Sequence, residues 1–337
     1  MRLGPLIIDV QGFTVQPHER EMLQHPWVGG LILFSRNFES KDQLRALTAE
    51  ISAARPGILI SVDHEGGRVQ RFRDGFTALP SFLELGSGLL DSQGRVCPSA
   101  LALAVQQARA AGSVLAQELL EVGVGFSYTP VLDLELGRSA VMHQRALSAD
   151  PGLVSVLAGA VIQGLRQRGF QNCGKHFPGH GYASADSHEA LPVDERSLDE
   201  ILSQDLLPYF RLGQGAWGYP PLTAVMPAHV LYPQIDPALP AGFSPIWIRK
   251  VLRERVQFDG VVISDDLSMA GAAVVPDVVD RAVAAFEAGC DATLICNRPD
   301  MAQQVLDALP ARLPQLLGSP ERRGLERLRP LIANGSV

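Results

Sequence analysis

The sequence predicts an α/β chain folded as a single (β/α)8 barrel of the TIM type, and three observations carry that prediction. Eight short apolar segments recur along the 337 residues, most of them continuously apolar, as strands covered on both faces require. Amphipathic segments with helical start and stop residues separate them. Polar residues follow the apolar runs one after another, so that in a barrel they converge on the rim formed by the C-terminal ends of the strands, where barrel active sites lie.

In chain order the candidate strands are Leu6 to Val10, Gly30 to Phe34, Ile58 to Val62, Val124 to Leu132, Asn172 to His176, Thr223 to Met226, Val261 to Ile263 and Thr293 to Ile295. Between the second and third, Ser40 and Gln43 read as a capping box before Leu44, Leu47 and Ile51. Ahead of the fifth, Asp150-Pro151 supplies an N-cap and a first helical residue, and Gly169 follows the last turn. Ser244-Pro245 repeats that device, and Asp277 can cap a helix that buries Val279, Val283 and Phe286 and stops at Gly289. The remainder reads as terminal helices rich in Leu and Arg. The expected organisation is one catalytic domain over residues 1–337, with C-terminal helices from about 299. A doubly wound sheet is the alternative, but it usually has fewer strands and a glycine-rich phosphate loop after the first. Asp9-Val10-Gln11-Gly12 lacks that loop, and Gly66-Gly67 does not match GxGxxG.

Bulk properties narrow the function. Forty-six per cent hydrophobic and 19% charged residues describe a globular chain rather than a disordered one. A net charge of -7 without any run of Lys and Arg argues against a nucleic-acid partner. The four cysteines, Cys97, Cys173, Cys290 and Cys296, show no CxxC spacing and are expected to be reduced and mostly buried. The N-terminus reaches Asp9 too soon for a signal-peptide core, and no apolar stretch approaches membrane-spanning length, so a cytoplasmic protein without membrane association is expected.

The densest chemistry lies in Gly174-Lys175-His176-Phe177-Pro178-Gly179-His180-Gly181 and the following Asp186-Ser187-His188, which hold three of the eight histidines. Such a concentration behind a strand is costly for a core and natural for a catalytic loop. Asp186 and His188 can form a carboxylate-imidazole dyad that shuttles a proton. Asp265 and Asp266 end a strand that should be buried, where an unpaired carboxylate is expensive, so one acid reads as catalytic and the other as structural. Arg71, Arg145 and Lys175 can bind oxygen-rich groups, and Asp63 shares their rim with Arg36, Asn37, Asp133, His176, His229 and Asn297. His64 and His143 read as structural or solvated, and His180, between two glycines, as a residue that shapes its loop.

Two other functions compete. His176, His180, Asp186 and His188 have the composition of a zinc site, which would make the chain a metal-dependent TIM-barrel hydrolase, although the HxH pair expected after the first strand is missing. A non-catalytic sugar-binding barrel would keep Asp63 and Arg71 but have no use for a nucleophile.

Lys175 to Gly181, Asp186-Ser187-His188 and Ser264-Asp265-Asp266-Leu267-Ser268-Met269 resemble the bacterial β-N-acetylglucosaminidases of glycoside hydrolase family 3, the NagZ type. Val62 to Phe72 and Leu33 to Phe38 are similar to further segments of that family, so the resemblance spans nearly all of the barrel. It implies a retaining exo-glycosidase, needing no cofactor, that removes terminal N-acetylglucosamine from muropeptides ending in 1,6-anhydro-N-acetylmuramic acid during peptidoglycan recycling. A monomeric cytoplasmic enzyme whose partner is a small carbohydrate is the matching expectation.

By the same resemblance Asp265 is the nucleophile, His188 the acid/base and Asp186 the residue that orients it. Many members carry a second domain, so in this chain the acid/base is expected from a barrel loop. The resemblance further implies that Asp63, Arg71, Arg145, Lys175 and His176 hold the sugar. Around Arg145 the family's more usual Arg-Ser pattern is replaced by Arg145-Ala146, and His64 replaces the commoner Gln. The Gly179 to His188 loop is expected to move so that His188 approaches bound sugar.

Overall fold

The structure is a computed structural model and describes residues 3–187, 189–215, 218 and 221–331. Each apolar run contains a strand. In chain order these are β1 (Leu6–Asp9), β2 (Val28–Leu33), β3 (Leu59–Val62), β4 (His64–Gly66), β5 (Val69–Gln70), β6 (Phe126–Ser127), β7 (Cys173–Phe177), β8 (Ala224–Pro227), β9 (Val261–Asp266) and β10 (Ala292–Leu294). Eight form one sheet in the order β6-β3-β2-β1-β10-β9-β8-β7 with parallel pairing, while β4 and β5 make a separate antiparallel hairpin. The two edges of the sheet then meet. Val131, just past β6, bridges Lys175 in parallel, Leu132 N–H donates to the Lys175 carbonyl at 2.6 Å, and Cys173 N–H donates to the Thr129 carbonyl at 2.8 Å. The sheet is thereby brought round into the (β/α)8 barrel that the apolar runs predict.

Around it lie α1 (Pro17–Gln24), α2 (Lys41–Ala54), α3 (Phe82–Gly86), α4 (Pro98–Glu121), α5 (Pro151–Gln167), α6 (Leu198–Ser203), α7 (Leu207–Leu212), a π-helical segment Ile246–Arg255, α8 (Val278–Ala288) and α9 (Pro299–Arg312). The Asp150 carboxylate accepts from Leu153 N–H with Pro151 in the first turn, and Asp277 accepts from Val279 and Asp280 N–H, as their sequence positions require. Three local expectations are refined. Ser40 caps α2, but the Gln43 side chain accepts from Glu39 N–H rather than from Ser40, so the box is only half formed. The Val124 to Leu132 run is not one strand: Pro130 has no N–H to give to a ladder, and regular pairing covers only Phe126–Ser127 before resuming at Val131. Beyond Pro299 stand α9 and a short 3-10 turn at Leu325–Leu328.

Two apolar clusters follow from the two-residue period of the strands. Ile7, Ile32, Leu59, Cys173, Val261, Ile263, Ala292 and Leu294 fill the barrel interior. Their alternates Leu6, Ile8, Leu31, Leu33, Ile60 and Val262 pack outward against the helices. Leu3 and the Leu325 and Leu328 side chains of the 3-10 turn belong to the inner cluster and close the N-terminal end of the barrel. Helices α4 and α5 cross at a glycine pair: a Cβ on Gly112 would stand 2.2 Å from the Val161 carbonyl oxygen, and one on Gly164 2.0 Å from that of Arg109.

Candidate active site

The inward parity of the strands selects which polar residues reach the open end of the barrel. Counting in twos from interior positions, Ile7 leads to Asp9, Ile32 to Phe34, Leu59 to Asp63, Cys173 to Lys175, Ile263 to Asp265 and Leu294 to Cys296. Of these six end points, all but Asp9 line one cavity of about 320 Å³, together with Arg68, Arg71, Arg145, His176, His180, Asp186 and Ser187 among others. This is small-ligand size.

The two adjacent acids are separated by parity. Asp266 lies off the inward set, and its carboxylate is consumed by the backbone: Oδ1 accepts from Ser268 N–H at 2.9 Å and Cys296 N–H at 3.0 Å, and Oδ2 from the Ser268 hydroxyl at 2.8 Å. Burial pushes its pKa up to about 6 against those hydrogen bonds. Asp265 is only half-buried, and its Oδ1 accepts from the Asp266 N–H at 2.8 Å. Both acids line the cavity, but the structure gives the Asp266 carboxylate the stitching of β9 to the chain after β10.

A second network fixes the cations. Lys175, 2% exposed, places Nζ 2.7 Å from both Asp63 Oδ1 and Glu65 Oε1. Arg145 grips Glu65 with two parallel bonds, Nε to Oε2 at 2.9 Å and NH2 to Oε1 at 2.7 Å. Burial alone would raise the Glu65 pKa, but Arg145 and Lys175 hold it well below the ordinary carboxylate range. Burial likewise works against charge on Lys175, and Asp63 and Glu65 reverse it, leaving its pKa raised. Arg71 is held more loosely, 3.9 Å from Asp63 Oδ2.

A third network orients the imidazoles. Asp133, fully buried beyond β6, takes His176 Nδ1 at 2.7 Å on Oδ2 and the His180 N–H at 2.7 Å on Oδ1. Burial would raise its pKa; the two histidines keep it lowered. With Nδ1 so engaged, the other edge of the His176 ring is turned to the cavity it lines. His180 Nε2 meets the Ser187 hydroxyl at 3.1 Å, and Gly271 N–H donates to the Ser187 carbonyl at 2.8 Å, so the Asp186-Ser187 turn is tied down on two sides. A Cβ on Gly181 would lie 1.9 Å from the Leu134 carbonyl oxygen, which explains a glycine where this loop crosses the chain after β6.

Of the residues singled out in the sequence, Asp63, Arg71, Arg145, Lys175, His176, Asp186 and Asp265 are brought to one cavity. His188 lies outside the described residues. Arg145 takes its place on the wall although its neighbours differ from the family pattern. The rest of the rim is bracing: Arg36 pairs with Asp9 and donates to Asn297 Oδ1 at 2.7 Å, the Asn37 side chain bonds the backbone of Val10, Gly12 and Phe34, and buried His229 bonds the Asp266 carbonyl at 3.2 Å. His64 is buried against Phe72 and Phe76, with burial pushing its pKa down to about 3, while His143 is exposed beside Glu135. Sequence reasoning passed over Glu65. Its period-two spacing from Asp63 was the available signal. Among the described residues no group of three or more His, Cys, Asp or Glu is arranged to hold a metal ion.

Comparison with known proteins agrees with this geometry. The chain matches the Glycosyl hydrolase family 3 N terminal domain over residues 6–318. It is 54% identical over 308 residues to a beta-hexosaminidase of Aromatoleum aromaticum, covering 90% of this chain and 82% of that protein. Native NagZ from Neisseria gonorrhoeae superimposes with a TM-score of 0.81 at 45% identity, over 91% of this chain and 85% of that one. The same protein in complex with N-trifluoroacetyl-D-glucosamine gives 0.84 at 41% identity, over 99% and 92%. Barrel, cavity and likeness over nine-tenths of the chain lead to one assignment: the chain is a glycoside hydrolase and belongs to glycosyl hydrolase family 3.

Proposed function

We propose that this chain is a retaining exo-β-N-acetylglucosaminidase that releases terminal N-acetylglucosamine from 1,6-anhydro-muropeptides in peptidoglycan recycling. The observation that carries the reading is the division of labour at the end of β9: both acids line the cavity, but the Asp266 carboxylate is occupied by the Ser268 and Cys296 N–H groups and the Ser268 hydroxyl, whereas Asp265 lies on the inward parity of the strand. Asp265 attacks the anomeric carbon and forms a covalent glycosyl-enzyme. His188 gives a proton to the departing oxygen and then takes one from water, while Asp186 orients its ring and stabilises the cation. Asp63, Arg71, Arg145, Lys175 and His176 hold the sugar in the cavity. Two guanidiniums, an ammonium and an imidazole supply donors and the Asp63 carboxylate supplies acceptors, a set suited to several hydroxyls and an amide at once.

Support for the sugar comes from the relatives, one named a beta-hexosaminidase and one bound to N-trifluoroacetyl-D-glucosamine. The reading takes residues 1–337 as a single catalytic domain, working as a cytoplasmic monomer. The four free cysteines are in keeping with that compartment, and among the described residues no helix is long and apolar enough to cross a membrane.

The test is hydrolysis of 4-nitrophenyl β-N-acetylglucosaminide in the presence of a chelator by the wild type and by Asp265→Ala. Activity that survives chelation and falls at least about a thousandfold in the variant is the expected outcome. Trapping of Asp265 by a 2-fluoro sugar would add the covalent step. A well-folded wild type that releases nothing, or that dies with the chelator, overturns the reading in favour of a binding protein or of the metal-dependent hydrolase.

A further inference from the structure

Four cationic side chains line the cavity: Arg68, Arg71, Arg145 and Lys175. Three have carboxylates within 4 Å, Arg145 and Lys175 on Glu65 and Arg71 and Lys175 on Asp63. Arg68 has none among the described residues. Among the described residues the one hydrogen bond of its side chain runs from NH2 to the Val141 carbonyl at 2.6 Å, and the residue is exposed at the cavity.

The backbone beneath Arg68 is held in place. It sits in the turn of the β4–β5 hairpin after Gly66 and Gly67, whose φ angles of +121° and +54° are in the range that favours glycine. Cβ atoms there would stand 2.3 Å from the Pro80 carbonyl oxygen and 2.6 Å from Ser81 Cβ. Gly67 N–H donates to the Leu79 carbonyl at 3.0 Å, and Arg73 NH2 donates to the Gly67 carbonyl at 2.8 Å. A fixed turn therefore sets the point from which the Arg68 side chain reaches into the cavity.

Its neighbours say which part of the substrate it meets. Arg68 donates to the Val141 carbonyl, and Val141, Met142, Asp186 and Ser187 line the cavity with it; among the charges that act on it Asp186 comes after Arg145 and Glu65. An acid/base supplied by the Asp186–His188 segment must lie beside the oxygen that departs, so the leaving group passes along this side.

We propose that Arg68 is the specificity residue of the leaving-group subsite and recognises a carboxylate carried by the aglycone. The inference rests on the glycosidase reading and extends it from the sugar that stays to the group that leaves. A guanidinium with no carboxylate within 4 Å among the described residues gains a charge-assisted pair when an anionic aglycone arrives, whereas a neutral aglycone leaves it facing water.

The test compares kcat/KM for 4-nitrophenyl and 3-carboxy-4-nitrophenyl β-N-acetylglucosaminide in the wild type, R68Q and R68K. The quantity read is the ratio between the two substrates within each enzyme, which cancels any general loss of stability or of enzyme. We expect R68Q to lower the carboxylated-to-neutral ratio by about fivefold, R68K to restore most of it, and 0.5 M salt to shrink the wild-type ratio toward that of R68Q, as a solvent-exposed pair requires (~1 kcal/mol at most). A ratio that is the same in wild type and R68Q, or unaffected by salt, overturns the proposal while leaving the glycosidase reading intact. A wild type that hydrolyses neither substrate overturns both.

Discussion

Asp265 and Asp266 are adjacent in sequence and opposite in circumstance. Burial raises the Asp266 pKa to about 6, above its ordinary value of 3.8, so between those values the folded protein holds a proton that the unfolded chain gives up. Stability contributed by the protonated form is present below about pH 4 and is lost as pH rises through about 6. Asp266→Asn removes this titration and keeps an oxygen for the Ser268 and Cys296 N–H groups. The melting temperature of the variant relative to wild type should therefore be more favourable at pH 8 than at pH 4.5; a difference constant across that window would disprove the assignment. The same contrast shows what a single residue reveals in sequence. That one acid of the pair is structural was readable from their strand-end position, because two neighbouring residues of a strand face opposite sides. Glu65 was harder, because its meaning lies in Arg145 and Lys175, which are 80 and 110 positions away.

Elements were legible in proportion to how local their causes are. Strands buried on both faces announce themselves by apolar runs, and Asp150 and Asp277 cap helices through bonds to residues two or three positions on. Pro130 interrupts the fourth run through a missing N–H, a local cause that hydropathy does not register. The α4–α5 crossing lies beyond local reading: Gly112 and Gly164 look like helix weaknesses until the partner carbonyls are seen. In an isolated helix, Gly112→Ala would stabilise by about 1 kcal/mol. Here the added methyl meets the Val161 carbonyl, a backbone atom that cannot rotate away, and overpacking of this kind costs about 1–3 kcal/mol or more. Thermal unfolding should show Gly112→Ala less stable than wild type, and an unchanged or raised melting temperature would mean that the two helices are free to separate.

At the scale of the molecule, the barrel has one end for chemistry and one for closure. Leu325 is fully buried within the inner cluster, and the chain around its turn is tied to the segment before β1 by Leu3 N–H donating to Glu326 Oε2 at 3.0 Å and by Arg322 NH2 donating to the Leu3 carbonyl at 2.9 Å. Leu325→Ala should cost about 2–5 kcal/mol in chemical denaturation with kcat unchanged for the folded enzyme, since the cavity lies at the opposite end. A fall in kcat without loss of stability would contradict that separation. β1 also hydrogen-bonds to β10 on one side and to β2 on the other. A nascent chain leaving the ribosome therefore carries its first strand with one edge unmatched until residue 294 has emerged, and its floor open until residue 328 follows. A protease or chaperone that samples the chain during synthesis thus meets an open barrel until residue 328 has emerged.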